Sequence, residues 1–244
     1  MKTLLTDFGN TRLKWCLQGT ETQGAIVVKE DLEGALSRLR SEIGVVDRVG
    51  VACVKGAAFK ARLIGAFLEL WGVAPELAIT PAAEQGLVCS YKDPSKMGVD
   101  RWLAMLAAYN RFGGGVCVVD SGTAMTIDCV ASDGCHIGGY ILPGFHLSID
   151  ALLAGTDEVK FDVLEEKVCT SYGKSTREAV YNGALLSQVS IIEKVYSELL
   201  KVNTACSCTL IVTGGNADFI SPFIGIDHKL ERDLVLEGLS LSLG

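Results

Sequence analysis

The sequence predicts an α/β protein built by duplication, two α/β domains with a cleft between them, and three observations carry that prediction. Asp7-Phe8-Gly9-Asn10-Thr11 is echoed 113 positions later by Asp120-Ser121-Gly122-Thr123-Ala124, in a chain of 244 residues. Each copy follows a short apolar run, Leu4-Leu5-Thr6 or Val116-Cys117-Val118-Val119, which places the Asp-x-Gly turn at the end of a buried strand. Beyond each copy, strand-like and helix-like stretches alternate.

The elements follow in order. After the first turn Leu13, Trp15 and Leu17 alternate with Arg12, Lys14 and Cys16, and after the second Met125, Ile127 and Cys129 alternate with Thr126 and Asp128, so both turns are hairpin tips. The first half continues with a strand over 24–28, a helix over 31–40, a strand over 48–54, a helix over 59–71 and a strand over 76–80. Residues 81–99 are polar, contain Gly86, Pro94 and Gly98, and hold no sustained period; they read as a long loop, and loops of that length are often functional. Asp100 opens a helix to Phe112 with apolar residues on two neighbouring faces, which suggests burial against its own domain on one side and a second domain or subunit on the other. Gly113-Gly114-Gly115 marks the boundary, giving domains 1–112 and 113–244. The second half reads as three strands to about 142, a short helix over 147–153, a long helix over 176–201, a strand over 209–212 ending in Thr213-Gly214-Gly215-Asn216, and a final helix over 230–241.

Composition narrows the function. A chain that is 49% apolar buries a real core, and a net charge of −7 argues against a nucleic-acid surface, which needs clustered Lys and Arg. Any anion must therefore be met locally, with Arg12, Lys14, Lys92, Lys96 and Arg101 as candidates. The nine cysteines include no Cys-x-x-Cys pair, and several sit in apolar runs where cysteine acts as a small hydrophobe; a reducing cytoplasm fits, and zinc does not. No stretch reaches the roughly 18 apolar residues of a membrane span.

Five motifs bear on chemistry. Glycine at each Asp-x-Gly turn lets backbone N–H groups approach phosphate oxygens, while a carboxylate beside phosphate needs a cation between them, so Asp7 and Asp120 are expected to hold a cation or its water. This outline suits the actin-like sugar-kinase architecture. Between the turns, Tyr91-Lys92-Asp93-Pro94-Ser95-Lys96-Met97-Gly98-Val99-Asp100-Arg101-Trp102 closes the long loop and enters a helix. Asp100 reads either as that helix's N-cap or as a group facing a substrate hydroxyl; Arg101 opposes the helix dipole there and suits a carboxylate ligand. Ser175 and Glu178 form a capping box, leaving Thr176 exposed at a helix start where anions bind. Thr213-Gly214-Gly215 suits close approach to an adenine ring or ribose, and Gly138-Gly139-Tyr140-Ile141-Leu142-Pro143-Gly144 is a glycine-rich strand and turn.

Taken together these runs closely resemble type III pantothenate kinases, of the acetate and sugar kinase/heat-shock/actin superfamily, over nearly the whole chain. Residues 7–12 match the first phosphate motif, residues 91–102 the Tyr-x-x-Pro-x-x-Leu-Gly-x-Asp-Arg-Trp motif with Met97 in place of Leu, residues 120–124 the second phosphate motif, and residues 138–144 the Gly-Gly-x-Ile-x-Pro-Gly motif. The resemblance implies a duplicated ribonuclease-H-like (actin-like ATPase) fold and ATP-dependent phosphorylation of pantothenate to 4'-phosphopantothenate, the first step of coenzyme A biosynthesis. It implies Asp100 as general base and ATP binding by Asp7, Phe8, Gly9, Asn10, Thr11, Arg12, Leu13, Lys14 and Thr123. Pantothenate falls to Tyr91, Gly98, Val99, Asp100, Arg101 and Thr176, and a monovalent cation, potassium or ammonium, to Asp120 alongside Mg2+. A homodimer is implied too, for which the doubly apolar helix after Asp100 is the expected interface. Two other readings compete: a nuclease using Asp7, Asp100 and Asp120 for two metals, and a non-catalytic ATP-binding regulator.

Overall fold

A computed structural model of the chain describes residues 1–9, 11–28, 31–159, 168–204 and 206–244. It divides into two compact units, Met1–Asn110 with Asp233–Gly244, and Arg111–Arg232. The sequence reading put the division at the three glycines and the tail with the second half.

The first unit contains β1 (Thr3–Phe8), β2 (Arg12–Leu17), β3 (Gln23–Val27), α1 (Leu32–Ile43), β4 (Arg48–Cys53), α2 (Ala57–Trp71), β5 (Glu76–Leu77), β6 (Ala83–Glu84), β7 (Leu87–Val88) and most of α3 (Val99–Phe112). The second runs β8 (Gly115–Ser121), β9 (Ala124–Val130), β10 (His136–Pro143), α4 (Phe145–Gly155), α5 (Thr176–Val202), β11 (Cys208–Thr213), α6 (Ala217–Ile220) and β12 (Lys229–Leu230). α7 (Leu234–Ser242) then returns to the first unit.

The duplication is visible in the sheets, which have the same strand order, β3-β2-β1-β4-β5 and β10-β9-β8-β11-β12. In each, the first three strands form an antiparallel meander and the fourth lies parallel to the first. The alternation in the sequence is realised: Leu13, Trp15 and Leu17 enter the core with Leu4, Phe8, α1 and α2, while Met125, Ile127 and Cys129 enter that of the second unit with Cys117, α4 and α5.

The opposite face of the first sheet explains where the tail goes. Leu5 and Gly50 face away from α1 and α2, and the Leu243 side chain lies against Gly50. α7 is apolar almost all round, with Leu234, Val235, Leu236 and Leu239 buried, so it covers this face on one side and reaches α3 through Gly238 on the other. Burial on that face pushes the Cys16 thiol up to about 11, helped by the nearby Asp233 carboxylate.

Two expectations change. The stretch 81–99 is not a bare loop: Ala83 and Glu84 pair with Val88 and Leu87 across a two-residue turn at Gln85 and Gly86, both with positive φ, 45° and 86°. That hairpin is held by buried Leu87 and by Gln85 Nε2 donating to the Leu241 carbonyl. Secondly, α3 offers no open apolar face to a second subunit, because Leu103, Met105, Leu106, Ala107 and Ala108 are all fully buried within one chain. Among the described residues no helix is long and apolar enough to cross a membrane.

Candidate active site

The two Asp-x-Gly turns occupy matching positions. Asp7 is the penultimate residue of β1 and is level with Ala52 of β4; Asp120 is the penultimate residue of β8 and is level with Thr213 of β11. Both carboxylates thus emerge at the carboxyl end of a central strand, where ligands of open α/β sheets bind. The turns differ in length. Phe8 pairs with Leu13, leaving the four positions 9–12, whereas Ser121 pairs with Met125, leaving the three positions 122–124.

In the first turn the Gly9 N–H donates to the Arg12 carbonyl at 3.1 Å, and Thr11 and Arg12 are exposed. Asn10 lies outside the described residues. Phe8 and Leu13 point into the core, so from these two only main-chain groups are available to a ligand. Lys14 stands beside Asp7 across the β1–β2 pair. In the second turn the Gly122 N–H donates to the Ala124 carbonyl at 3.0 Å and Thr123 is exposed.

The loop before α3 is built around Met97. Its carbonyl accepts from the Thr80 hydroxyl at 3.2 Å, and its buried sulfur lies 4.0 Å from Cys89 Sγ. Asp93 accepts from the backbone and hydroxyl of Ser95, shaping the short turn Pro94–Lys96, and that arrangement holds its carboxyl below the usual carboxylate range. The first α3 bond runs from the Trp102 N–H to the Gly98 carbonyl. Asp100 therefore lies inside the helix and is not its N-cap; its Oδ1 accepts from the Arg101 N–H at 2.8 Å. An acidic side chain in that first turn complements the helix dipole. Arg101, only 7% exposed, donates from Nη1 to the Tyr91 hydroxyl at 3.0 Å and stacks over the Tyr91 ring at 5.9 Å. The structure thus brings Tyr91, Gly98, Asp100 and Arg101 together in one unit, while Val99 is buried.

Thr176 belongs to the other unit, exposed in the first turn of α5. The capping box forms with a shift: Ser175 accepts from the Glu178 N–H, and Glu178 accepts from the Lys174 N–H rather than from that of Ser175.

Sequence reasoning missed two residues. Glu84 Oε2 accepts from the indole of fully buried Trp102 at 3.0 Å, tying the β6–β7 hairpin to the first turn of α3. Asn216, read only as the end of a glycine motif, bonds to the tip of the second turn. A buried indole needs an acceptor, so Trp102 itself announced a partner but not which one. Among the described residues no three His, Cys, Asp or Glu side chains gather as metal ligands.

A sequence profile described as type III pantothenate kinase matches residues 3–198. A type III pantothenate kinase of Chromohalobacter salexigens is 33% identical over 239 residues, covering 96% of this chain and 84% of its own. Among solved structures, a protein described as a Baf family transcriptional activator from Campylobacter jejuni superposes with a TM-score of 0.58 at 21% identity, covering 97% of this chain and 95% of its own. The activator of the 2-hydroxyisocaproyl-CoA dehydratase from Clostridium difficile, solved with bound ADPNP, superposes with a TM-score of 0.51 at 12% identity, covering 100% and 93%. The last two likenesses concern the fold alone, the duplicated ribonuclease-H-like fold of the actin-like ATPases. The sequence profile and the curated relative, each spanning most of the chain, show that it belongs to the type III pantothenate kinase family.

Proposed function

We propose the following division of labour for the reaction of this family, ATP-dependent phosphorylation of pantothenate to 4'-phosphopantothenate in coenzyme A biosynthesis. The observation that carries it is the buried Arg101 guanidinium held by Tyr91, on the helical turn where the Asp100 carboxylate accepts from the Arg101 backbone N–H. A buried, oriented cation recognises the pantothenate carboxylate, and a planar guanidinium does so with two parallel bonds. Tyr91 and the backbone at Gly98 and Val99 complete that cradle.

Asp100 accepts the proton of the terminal hydroxyl as its oxygen bonds to the γ-phosphorus and the bond to the bridging oxygen breaks, releasing ADP. Loose phosphoryl-transfer transition states need little early deprotonation, so a carboxylate with a reference pKa of about 3.9 suffices if it is well placed. Residues 7–14 hold the ATP phosphates, chiefly through main-chain groups, and Thr123 adds a hydroxyl donor.

Asp120 is the ligand for the monovalent cation. The donor fits: a carboxylate, half-buried at the end of β8, is the kind of oxygen ligand that a hard cation takes. Magnesium bound through ATP phosphates and a potassium or ammonium ion at Asp120 would offset the charge on the transferring group. The protein is expected in the cytoplasm, which suits nine free cysteines, and as a homodimer formed through a surface other than α3.

ADP release measured with and without pantothenate, in potassium and in sodium, tests these roles. Turnover should require pantothenate and fall in sodium, and Asp100→Asn should lower kcat by about 10²- to 10⁴-fold with ATP binding kept. Near-normal turnover in the variant would remove Asp100 from the base role, and full activity in sodium would remove the cation from Asp120.

A further inference from the structure

We propose that Asn216 is a positioning residue that fixes the second phosphate turn. This rests on the reading of residues 120–124 as a phosphate and cation motif. Asn216 follows β11 and occupies the N-cap position of α6, yet its side chain makes no capping bond. Its Nδ2 instead reaches across 94 positions of sequence to the Gly122 carbonyl at 3.1 Å, and its backbone N–H donates to the Ser121 carbonyl at 2.7 Å. An amide oxygen facing Gly122 would meet another acceptor, so the carbonyl dictates which way the amide points.

The next carbonyl of the turn, that of Thr123, accepts from the Gly144 N–H at 3.0 Å. The Ser121 hydroxyl is buried and, among the described residues, makes no hydrogen bond. The approach is close because Gly214 has no side chain: at φ 96° a Cβ there would meet Asp120 Oδ1, and would come within 2.5 Å of the Ser121 carbonyl oxygen. Two consecutive carbonyls of the turn are thus pinned by one residue, between the Asp120 carboxylate and the Thr123 hydroxyl, which are separated by only those two positions. With the amide turned toward Gly122, one of its two N–H groups is spent on the protein.

The test uses the full chain as wild type, Asn216→Ala, Asn216→Asp and, as a control, Thr123→Ala, with amide hydrogen exchange over residues 119–126 and the KM values for ATP and pantothenate as readouts. Asp is a good N-cap, so Asn216→Asp keeps the helix start while placing a carboxylate oxygen against the Gly122 carbonyl. Both Asn216 variants should exchange about 10-fold faster at the turn and raise the ATP KM about 10-fold, the scale of one lost hydrogen bond, with pantothenate KM within about twofold of wild type. Thr123→Ala should raise the ATP KM without altering exchange. Asn216 variants with wild-type exchange, or with a raised ATP KM and unchanged exchange, overturn the proposal. If Thr123→Ala leaves the ATP KM unaltered, the phosphate reading of the turn fails first.

Discussion

Gly238→Ala tests how α3, and with it Asp100, is seated. A Cβ on Gly238 would lie 2.6 Å from the Leu103 carbonyl carbon and 2.9 Å from its Cα, and closer still to the carbonyl oxygen. All three are main-chain atoms of α3, so no side chain can swing aside, and α3 cannot retreat because its residues from Arg101 to Ala108 are buried. α7 must lift by roughly 1.5 Å to regain ordinary contact at about 3.5 Å, loosening Leu234, Leu236 and Leu239 from the sheet. Overpacking of this kind costs about 1–3 kcal/mol, and at about 2–4 °C per kcal/mol for a protein of this size the melting temperature should fall by about 2–12 °C. Because Leu103 lies one turn beyond Asp100, pantothenate KM should rise while ATP KM holds. Gly65, in α2 with open space where its Cβ would be, is the control: Gly65→Ala should raise stability by up to about 1 kcal/mol. Thermal unfolding by circular dichroism reads both. If Gly238→Ala melts at or above the wild type, as the control does, the account of α7 as a strut pressed on α3 is wrong.

The β6–β7 hairpin makes a related prediction. Glu84→Gln keeps an acceptor for the Trp102 indole and should behave as wild type, whereas Glu84→Ala leaves a buried N–H unpaired at about 1–3 kcal/mol and should raise pantothenate KM; equal kinetics for the two variants would deny the hairpin any hold on α3. Among the thiols, Cys169 is pushed down by the Ser171 backbone N–H, then the Ser171 hydroxyl and the Asn182 amide, while Cys135 is pushed up by its hydrogen bond to Asp133. The thiolate is the nucleophile, so limited iodoacetamide near pH 7.5 should label Cys169 first although Cys135 is more exposed. The gap should narrow as pH rises and Cys135 ionises, and peptide mass spectrometry showing the reverse order at pH 7.5 would count against those donors.

What the sequence disclosed was what local period and short spacing encode. The alternation after each Asp-x-Gly turn placed Trp15 and Ile127 in their cores, and the motif from Tyr91 to Trp102 assembled within a single unit because its members lie within one loop and one helical turn. The β6–β7 hairpin escaped because two-residue strands carry no period; Gln85-Gly86 was its only local mark. The return of α7 escaped for a different reason. A helix apolar on most sides announces burial but not against which sheet, and the deciding contacts join Leu243 to Gly50 and Gly238 to Leu103 across long stretches of chain. The Asn216 amide and the Glu84 carboxylate are likewise tertiary facts about groups with many available partners.

The duplication sharpens the difference between the two turns. Thr213 is level with Asp120 as Ala52 is level with Asp7, so three residues further along each strand end the first unit has Lys55 where the second has Asn216. Lys55 does not imitate Asn216: its ammonium sits 4.7 Å over the Phe59 ring, next to the start of α2. Each choice suits the assigned neighbour. A lysine near a turn that holds phosphates adds favourable charge, but the same ammonium beside Asp120 would compete with the cation assigned there. An amide donates to the turn without carrying charge, which would let one topological position serve the proposed anion site in one copy and the proposed cation site in the other.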